Sequence, residues 1–524
     1  MMMTMTITEI KDKISAFLTA FFSGKIYPLL MLIWMLAGYF YEKEPYFAFV
    51  NMIVVSFAFL TTRTIKPMIF FVLTFFYQMN AVHSPMDPVN STYYLTGRRA
   101  ALLVIGAAAF VICGTIYTFK NKFYKKDNFL KMPLFLPMMI FTAGLVANGF
   151  MKSDYTVGNL LWALALVVVY VVLFGMLWIA LKDEDPHEIT DYFTYINLLV
   201  SWMLLIEVAG IYISGGLFVN GTVDRGAFTL GFGKTNAVGF VLASLIPMNF
   251  YGFMRNKSKV MPYVHLLTAF ALFGAALTST SRNAVLIGCL YFAFCVIFSM
   301  FAGDRKKTAR ILLPSLILAS AIVALVFFKE ELVALARHYI DRTDIDSGLN
   351  SASAGRISIW KECLRIFKDN QLFGAGFFGE EMKFAQPMAD IIPHFAHNTL
   401  FQLLAGTGMV GTLCYGYYRI CTLKYAFRKP TLDRFMLTVA ASTILTGSML
   451  DNHLFDIYPG IYYTTALVIA VLLYEKQFNK KDTEAASVTE PADDTPADDD
   501  EDTDEKFIAN VSELLEESSD ILNS

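Results

Sequence analysis

The stretch "GNLLWALALVVVYVVLFGMLWIAL", residues 158–181, contains no charged side chain and no alternation of polar and apolar positions. An apolar run of this length crosses a hydrocarbon core of about 30 Å as a helix. A helix is required because a lipid-embedded segment must satisfy its own backbone hydrogen bonds, whereas a barrel strand would alternate. Comparable runs recur at 26–41, 46–60, 67–80, 100–119, 132–150, 193–218, 236–254, 262–279, 283–302, 311–328, 398–418, 432–449 and 460–474. The expectation is an all-α, polytopic transmembrane bundle of about 14 spans, give or take two. Composition agrees: 56% of the 524 residues are hydrophobic, 15% aromatic and 17% charged, with a mean hydropathy of +0.50, far from the soluble norm.

The six cysteines fall mostly inside spans and never at CxxC spacing, so neither a disulfide framework nor a thiolate metal site is indicated. A net charge of -3 does not point to nucleic acid, but the charges are segregated. With the N-terminus inside, one set of loops holds Arg63 and Lys66, "KNKFYKK" (120–126), "RNKSK" (255–259), "DRKKTAR" (304–310) and Arg419 through Arg434. The opposite loops are poorer in Lys and Arg, the acidic "KDEDPHE" (182–188) being the weak point of the alternation. This bias places both termini in the cytoplasm.

The resulting division is a cytoplasmic N-terminal segment 1–25, helices over 26–328, a large extracytoplasmic loop 329–397, further helices over 398–474, and an acidic tail 475–524. The N-terminal stretch lacks a small-residue cleavage site and reads as a retained helix. The tail, with "TEPADDTPADDDEDTDEK" at 489–506, cannot bury enough apolar surface to offset its ordering entropy and is expected to be disordered. It leaves room for a cytoplasmic partner through "FIANVSELLEESSDIL" (507–522).

Polar chemistry gathers on the outer side, Glu207 being the clear exception within a span. The loop "VNGTVDRGAFTLGFGKTN" (219–236) offers Arg225, Lys234 and Asn236, either as an anion cradle or as a glycine-rich turn. "LTSTSRNAVL" (277–286) puts Ser281 and Arg282 at a helix end, where the arginine either snorkels to lipid phosphate or holds an anion. In "SASAGRISIWKECLRIFKDNQLFGAGFFGEE" (351–381), Ser353 can cap an amphipathic helix whose apolar face reads Ile357, Trp360, Leu364 and Phe367. Arg356 in its first turn opposes the helix dipole unless an anion is present. The GxGxxG match at 374–379 lacks a preceding strand and is not a dinucleotide site. "IIPHFAHNTLFQLLAGTGMVG" (391–411) brings His394, His397 and Asn398 to a helix start, and "MLDNHLFDIYPG" (449–460) adds Asp451 and His453. The spacing of these groups is a poor metal signature, so no metal is expected.

Taken in order, "TSTSRNA", "GRISIWKECLRIFKDNQLFGAGFFG" and "HNTLFQLLAGTGMVG" resemble the O-antigen ligase and O-antigen polymerase family of polytopic glycosyltransferases over about residues 200–420. The resemblance implies action at the outer leaflet of the bacterial inner membrane on glycans carried by undecaprenyl diphosphate, without a further cofactor. It implies that Arg282 and Arg356 bind the diphosphate, with Arg225 a weaker match, and that His397 corresponds to the family's loop histidine. His394 has no counterpart in the family. Charge physics is compatible with this reading. Arginines stabilise a diphosphate leaving group, and a histidine can take the proton of the attacking sugar hydroxyl. A single displacement predicts inversion. A polymerase joining carrier-linked repeats, a ligase serving a lipid or protein acceptor, a glycan flippase and a non-enzymatic assembly component remain as alternatives.

Overall fold

In the computed structural model, residues 7–79, 96–123, 129–147, 157–214, 218–219, 222–223, 228, 235–342, 355–377 and 396–487 are described. They form α1 (Ile7–Ser23), α2 (Ile26–Phe40), α3 (Glu44–Thr61), α4 (Lys66–Met79), α5 (Gly97–Lys120) and α6 (Phe135–Ala147). Next come α7 (Val157–Val167) and α8 (Leu173–Leu181), continuous through a π-helical turn at Val168–Val172, and α9 (Pro186–Ile213). Then follow α10 (Thr235–Ser244), α11 (Ile246–Arg255), α12 (Met261–Thr278), α13 (Arg282–Phe301), α14 (Lys306–Phe327) and α15 (Lys329–Arg342). The chain ends with α16 (Arg356–Asp369), α17 (Thr399–Phe427), α18 (Leu432–Gly447) and α19 (Ile457–Ser487). The protein is an all-α, multi-pass membrane bundle. Its one sheet among the described residues is a minimal antiparallel hairpin, β1 (Phe218–Val219) with β2 (Thr222–Val223), in the loop read as a glycine-rich turn.

Among the described residues fewer spans are found than the 14 apolar runs suggest. Among the described residues nine helices are long and apolar enough to cross a membrane, ten if α1 and α2, bent by 61°, count as one. The difference has local causes. Helix α6 is only 13 residues long and α18 only 16. In α17 the backbone leaves helical geometry at Gly408, with φ +65°. Two boundaries also move: α19 continues as helix to Ser487, and α17 runs to Phe427. Arg419, expected in a loop, therefore lies within a helix.

Polar side chains tie the helices together inside the bundle. The break between α10 and α11 is followed by Pro247, which cannot donate. There the Leu245 carbonyl accepts the side-chain amides of Asn197 and Asn249, each at 3.0 Å. Tyr462 then bonds Asn197 at 3.0 Å, tying α19 to α9. Helices α10 and α11 are almost wholly buried and form the centre of the bundle. Glu207 is buried in α9, as is Glu44 at the start of α3.

Candidate active site

The site forms where α10, α13, α16 and α17 begin and α18 gives way to α19. Helix α13 starts at Ser281, whose hydroxyl accepts the Ala284 N–H at 3.3 Å, a conventional N-cap. Just before it, Thr280 is buried with φ +57°, a left-handed conformation that non-glycine residues seldom adopt. Arg282 opens the helix, half-buried. Asn283 reaches across to the α18–α19 connection, with its amide nitrogen 3.3 Å from His453 Nε2.

Helix α16 is capped by Gly355 at φ +79°; Ser353, the expected cap, lies outside the described residues. Its buried side is Cys363 and Ile366, with Ile359 packed alongside, while Leu364 is exposed. The apolar face is thus rotated from the expected stripe of Ile357, Trp360, Leu364 and Phe367. Trp360, expected as interfacial packing, donates its indole N–H to the Ala396 carbonyl at 3.0 Å and stacks on Phe401.

Residues 371–377 clasp the break in α17. The N–H groups of Ala375 and Gly376 donate to the carbonyls of Ala405 and Gly406 at 2.8 and 3.0 Å. Past the break, Met409 and Val410 donate back to the carbonyls of Gln371 and Leu372. Backbone contact this close requires glycine: a Cβ on Gly374, itself at φ +69°, would lie 2.4 Å from the Gly406 carbonyl carbon. Gly374 and Gly376 of the GxGxxG match thus belong to a structural clasp.

His397 sits at the mouth of α17 with φ +52°. Asn398 caps the helix, accepting from Leu400 and Phe401, and donates to the Met449 carbonyl at 2.7 Å. Thr399 holds the Ser448 carbonyl through its N–H and its hydroxyl at 2.9 and 3.0 Å. Gln402 is wholly buried and accepts from Ala396 N–H at 2.6 Å and from Asn452 at 3.0 Å. It also donates to the Phe377 carbonyl at 3.2 Å. These bonds fix the loop around Asp451 against the start of α17.

Asp451 is the focus. One carboxylate oxygen lies 2.7 Å from His397 Nδ1 and accepts the Asn452 N–H at 3.0 Å; the other is 3.9 Å from the Arg356 guanidinium. The Asp451 side chain is 13% exposed and His397 39%. Burial alone would raise the Asp451 carboxyl. The His397 hydrogen bond and the charges of His453, His397 and Arg356 prevail and hold it well below the usual carboxylate range. This carboxylate is also the anion that Arg356 requires in a helix's first turn. Beside it, His453 is buried, stacked on Phe240 with ring centres 3.7 Å apart, and its Nδ1 is 3.5 Å from Asp456.

With Nδ1 committed to Asp451, the neutral imidazole of His397 carries its proton there and leaves Nε2 as an acceptor, a tautomer assigned from the hydrogen-bond pattern. Arg356, His397, Asp451 and His453 are brought together, and Asn283 ties the start of α13, beside Arg282, to the same loop. Asn236 is half-buried one turn before Phe240. Asn398 and Ser281 cap helices. Arg225, Lys234 and His394 lie outside the described residues. Sequence reasoning missed Gln402, whose signal was an amide inside an apolar run, and Phe240, which carried none. Among the described residues no three His, Cys, Asp or Glu side chains converge as a metal would require.

Residues 267–416, from within α12 to within α17, match a family described as O-antigen ligase. The chain carries an O-antigen ligase domain. No curated protein matches it. The matched segment contains Arg282, Arg356, His397 and Gln402. Asp451 and His453 lie beyond the matched segment and fold back onto it.

Proposed function

We propose that the chain transfers a glycan from undecaprenyl diphosphate to a hydroxyl of an acceptor sugar, with inversion at the anomeric carbon. The observation that carries this reading is the His397–Asp451 pair beside Arg356, at the edge of an O-antigen ligase domain. His397 Nε2 takes the proton of the acceptor hydroxyl as its oxygen bonds to the anomeric carbon. The bond from that carbon to the phosphate oxygen breaks, and the electron pair leaves with undecaprenyl diphosphate. Asp451 keeps the ring oriented and stabilises the imidazolium, as a carboxylate does behind any histidine base. Such a base contributes about 10²–10⁴-fold.

Arg356 and Arg282, with Arg225 from the preceding loop, take the growing charge on the leaving diphosphate, the role a divalent cation has in other transferases. The acceptor is another carrier-linked repeat, which makes the enzyme a polymerase of capsule, exopolysaccharide or O-antigen units. The distribution of Lys and Arg supports an active site on the extracytoplasmic face of the bacterial inner membrane, with both termini cytoplasmic.

Reconstitution with carrier-linked repeat units, with and without other acceptors, tests the reading. Long carrier-linked chains are expected. Transfer of one glycan to a different acceptor would instead make it a ligase, and release of no carrier diphosphate with any acceptor would overturn the transferase assignment.

A further inference from the structure

Helix α13 starts at the candidate active site and ends at Phe301, so its far end lies at the opposite end of the bundle. There two short turns are stitched into one surface. The turn from α11 into α12 reads "RNKSKV" at 255–260, and that from α13 into α14 reads "AGDRKK" at 302–307. The Asp304 N–H donates to the Met254 carbonyl at 3.2 Å, and the Arg305 guanidinium donates to the Ser258 carbonyl at 3.2 Å. Arg255 lies 3.5 Å from Asp304, the one carboxylate of the two turns. Lys257, Lys259, Lys306 and Lys307 stay exposed around this seam, and none of the four is in an ion pair with a described residue. Lys306 and Lys307 also open α14, whose first turn has neither an acidic residue nor a side-chain cap. Cations in that position oppose the helix dipole unless an anion lies over them.

The same end releases the C-terminal helix. A line of contacts runs from α19 to the seam: Lys476 to Asp185 at 2.7 Å, Asp185 to the His187 N–H at 3.1 Å, His187 to Asp433 at 2.6 Å, and Asp433 to Arg255 at 3.5 Å. Helix α19 continues to Ser487. After it, "TEPADDTPADDDEDTDEK" at 489–506 carries ten Asp and Glu against one Lys. At about 3.5 Å per extended residue, the stretch from 487 to 505 reaches up to about 60 Å, several helix diameters of about 10 Å. The turn "KDEDPHE" at 182–188 lies at this end too and repels an acidic chain. Its Glu184 holds Lys66 at 3.3 Å and its Asp185 holds Lys476. On the connection from α17 to α18, Arg428 is taken by the Tyr474 hydroxyl and the Phe478 ring. The four lysines of the seam are free to serve as the counter-charge.

We propose that residues 490–505 of this chain dock on the surface formed by 255–260 and 302–307, with Lys257, Lys259, Lys306 and Lys307 opposite their carboxylates. One exposed ion pair is weak, but a tether holds the partner at a roughly millimolar effective concentration, and the pairs act together. The docked segment covers lysines that would otherwise face anionic lipid headgroups. The inference is independent of the chemistry proposed for the opposite end of the bundle.

Carbodiimide cross-linking of the full-length protein in phosphatidylglycerol nanodiscs, read by peptide mass spectrometry, tests the proposal, because the reagent joins carboxylates to amines in direct contact. Cross-links from Lys257, Lys259, Lys306 or Lys307 to residues 490–505 are expected. A mixture of isotopically light and heavy chains is expected to give them within single chains. Salt at about 1 M, where the Debye length is about 3 Å, is expected to abolish them. Cleavage of the acidic segment by an Asp-specific protease gives a second reading. The joint variant Lys257→Gln, Lys259→Gln, Lys306→Gln and Lys307→Gln is expected to be cut about fivefold faster than wild type. Lys368→Gln, exposed on α16, is expected to be cut at the wild-type rate. Absence of the cross-links in phosphatidylglycerol would give the lysines to lipid and overturn the proposal. Cross-links mainly between light and heavy chains, or equal cleavage of the joint variant and wild type, would overturn it as well.

Discussion

His397 and Asp451, 54 residues apart in the chain, meet at 2.7 Å through Nδ1 and a carboxylate oxygen. Because Asp451 is held in turn by the Asn452 N–H and faces Arg356, the contact orients the ring and selects its tautomer. Asp451→Asn keeps the shape and removes the charge that stabilises the imidazolium. Turnover is expected to fall by about 10²-fold or more with KM little changed, measured as release of carrier diphosphate. A rise in KM at constant kcat would place Asp451 in substrate binding instead.

Arg356→Lys keeps a charge and loses the planar fork. A tenfold or larger fall in turnover, by about 1.4 kcal/mol, is expected for Lys, and a deeper one for Ala. Equal activity of Arg356→Lys and wild type would show that a point charge suffices.

The clasp around the break in α17 is a packing device, so Gly374→Ala acts on stability. The added Cβ would meet the Gly406 carbonyl carbon at 2.4 Å, at a φ of +69°. A loss of about 1–3 kcal/mol is expected, measured as a lowered thermal unfolding midpoint in detergent.

The low Asp451 carboxyl makes a signed pH prediction. A group whose folded pKa is depressed contributes stability that is fully present above its unfolded value, about 3.9 for Asp, and is lost as pH falls through the folded value. The part of the stability difference between wild type and Asp451→Asn that comes from the ionised carboxylate is therefore expected to shrink as pH falls below about 4. Unfolding at a series of pH values measures it, and a gap that widened as pH fell below about 4 would contradict a carboxyl held low by its partners.

Much of this was legible in the sequence, for identifiable reasons. Long charge-free runs such as 158–181 can only be membrane helices, and polar groups stranded between them stand out, which is how Arg282, Arg356, His397, Asp451 and His453 could be singled out. Their pairing was not legible, because the bond from His397 to Asp451 depends on α17 and α18 bringing distant segments together. Gln402 was hidden inside an apolar run, and the clasp of Gly374 on Gly406 looked like a failed nucleotide motif. Among the described residues fewer helices qualify as spans than the apolar runs suggest, because hydropathy does not register a helix of 13 residues or a break at a single glycine. Arg419 was assigned to a loop because a charge ordinarily ends a span, whereas here the Tyr463 hydroxyl accepts from it.

The most direct measurement is the single-turnover rate of glycan transfer from undecaprenyl diphosphate in proteoliposomes, for wild type and His397→Asn. Asparagine tolerates the left-handed backbone found at position 397 and cannot serve as a base at neutral pH. The rate is expected to fall by about 10²-fold or more while donor binding and the unfolding midpoint remain those of wild type. A wild-type rate in His397→Asn would contradict the assignment of His397 as the group that takes the proton.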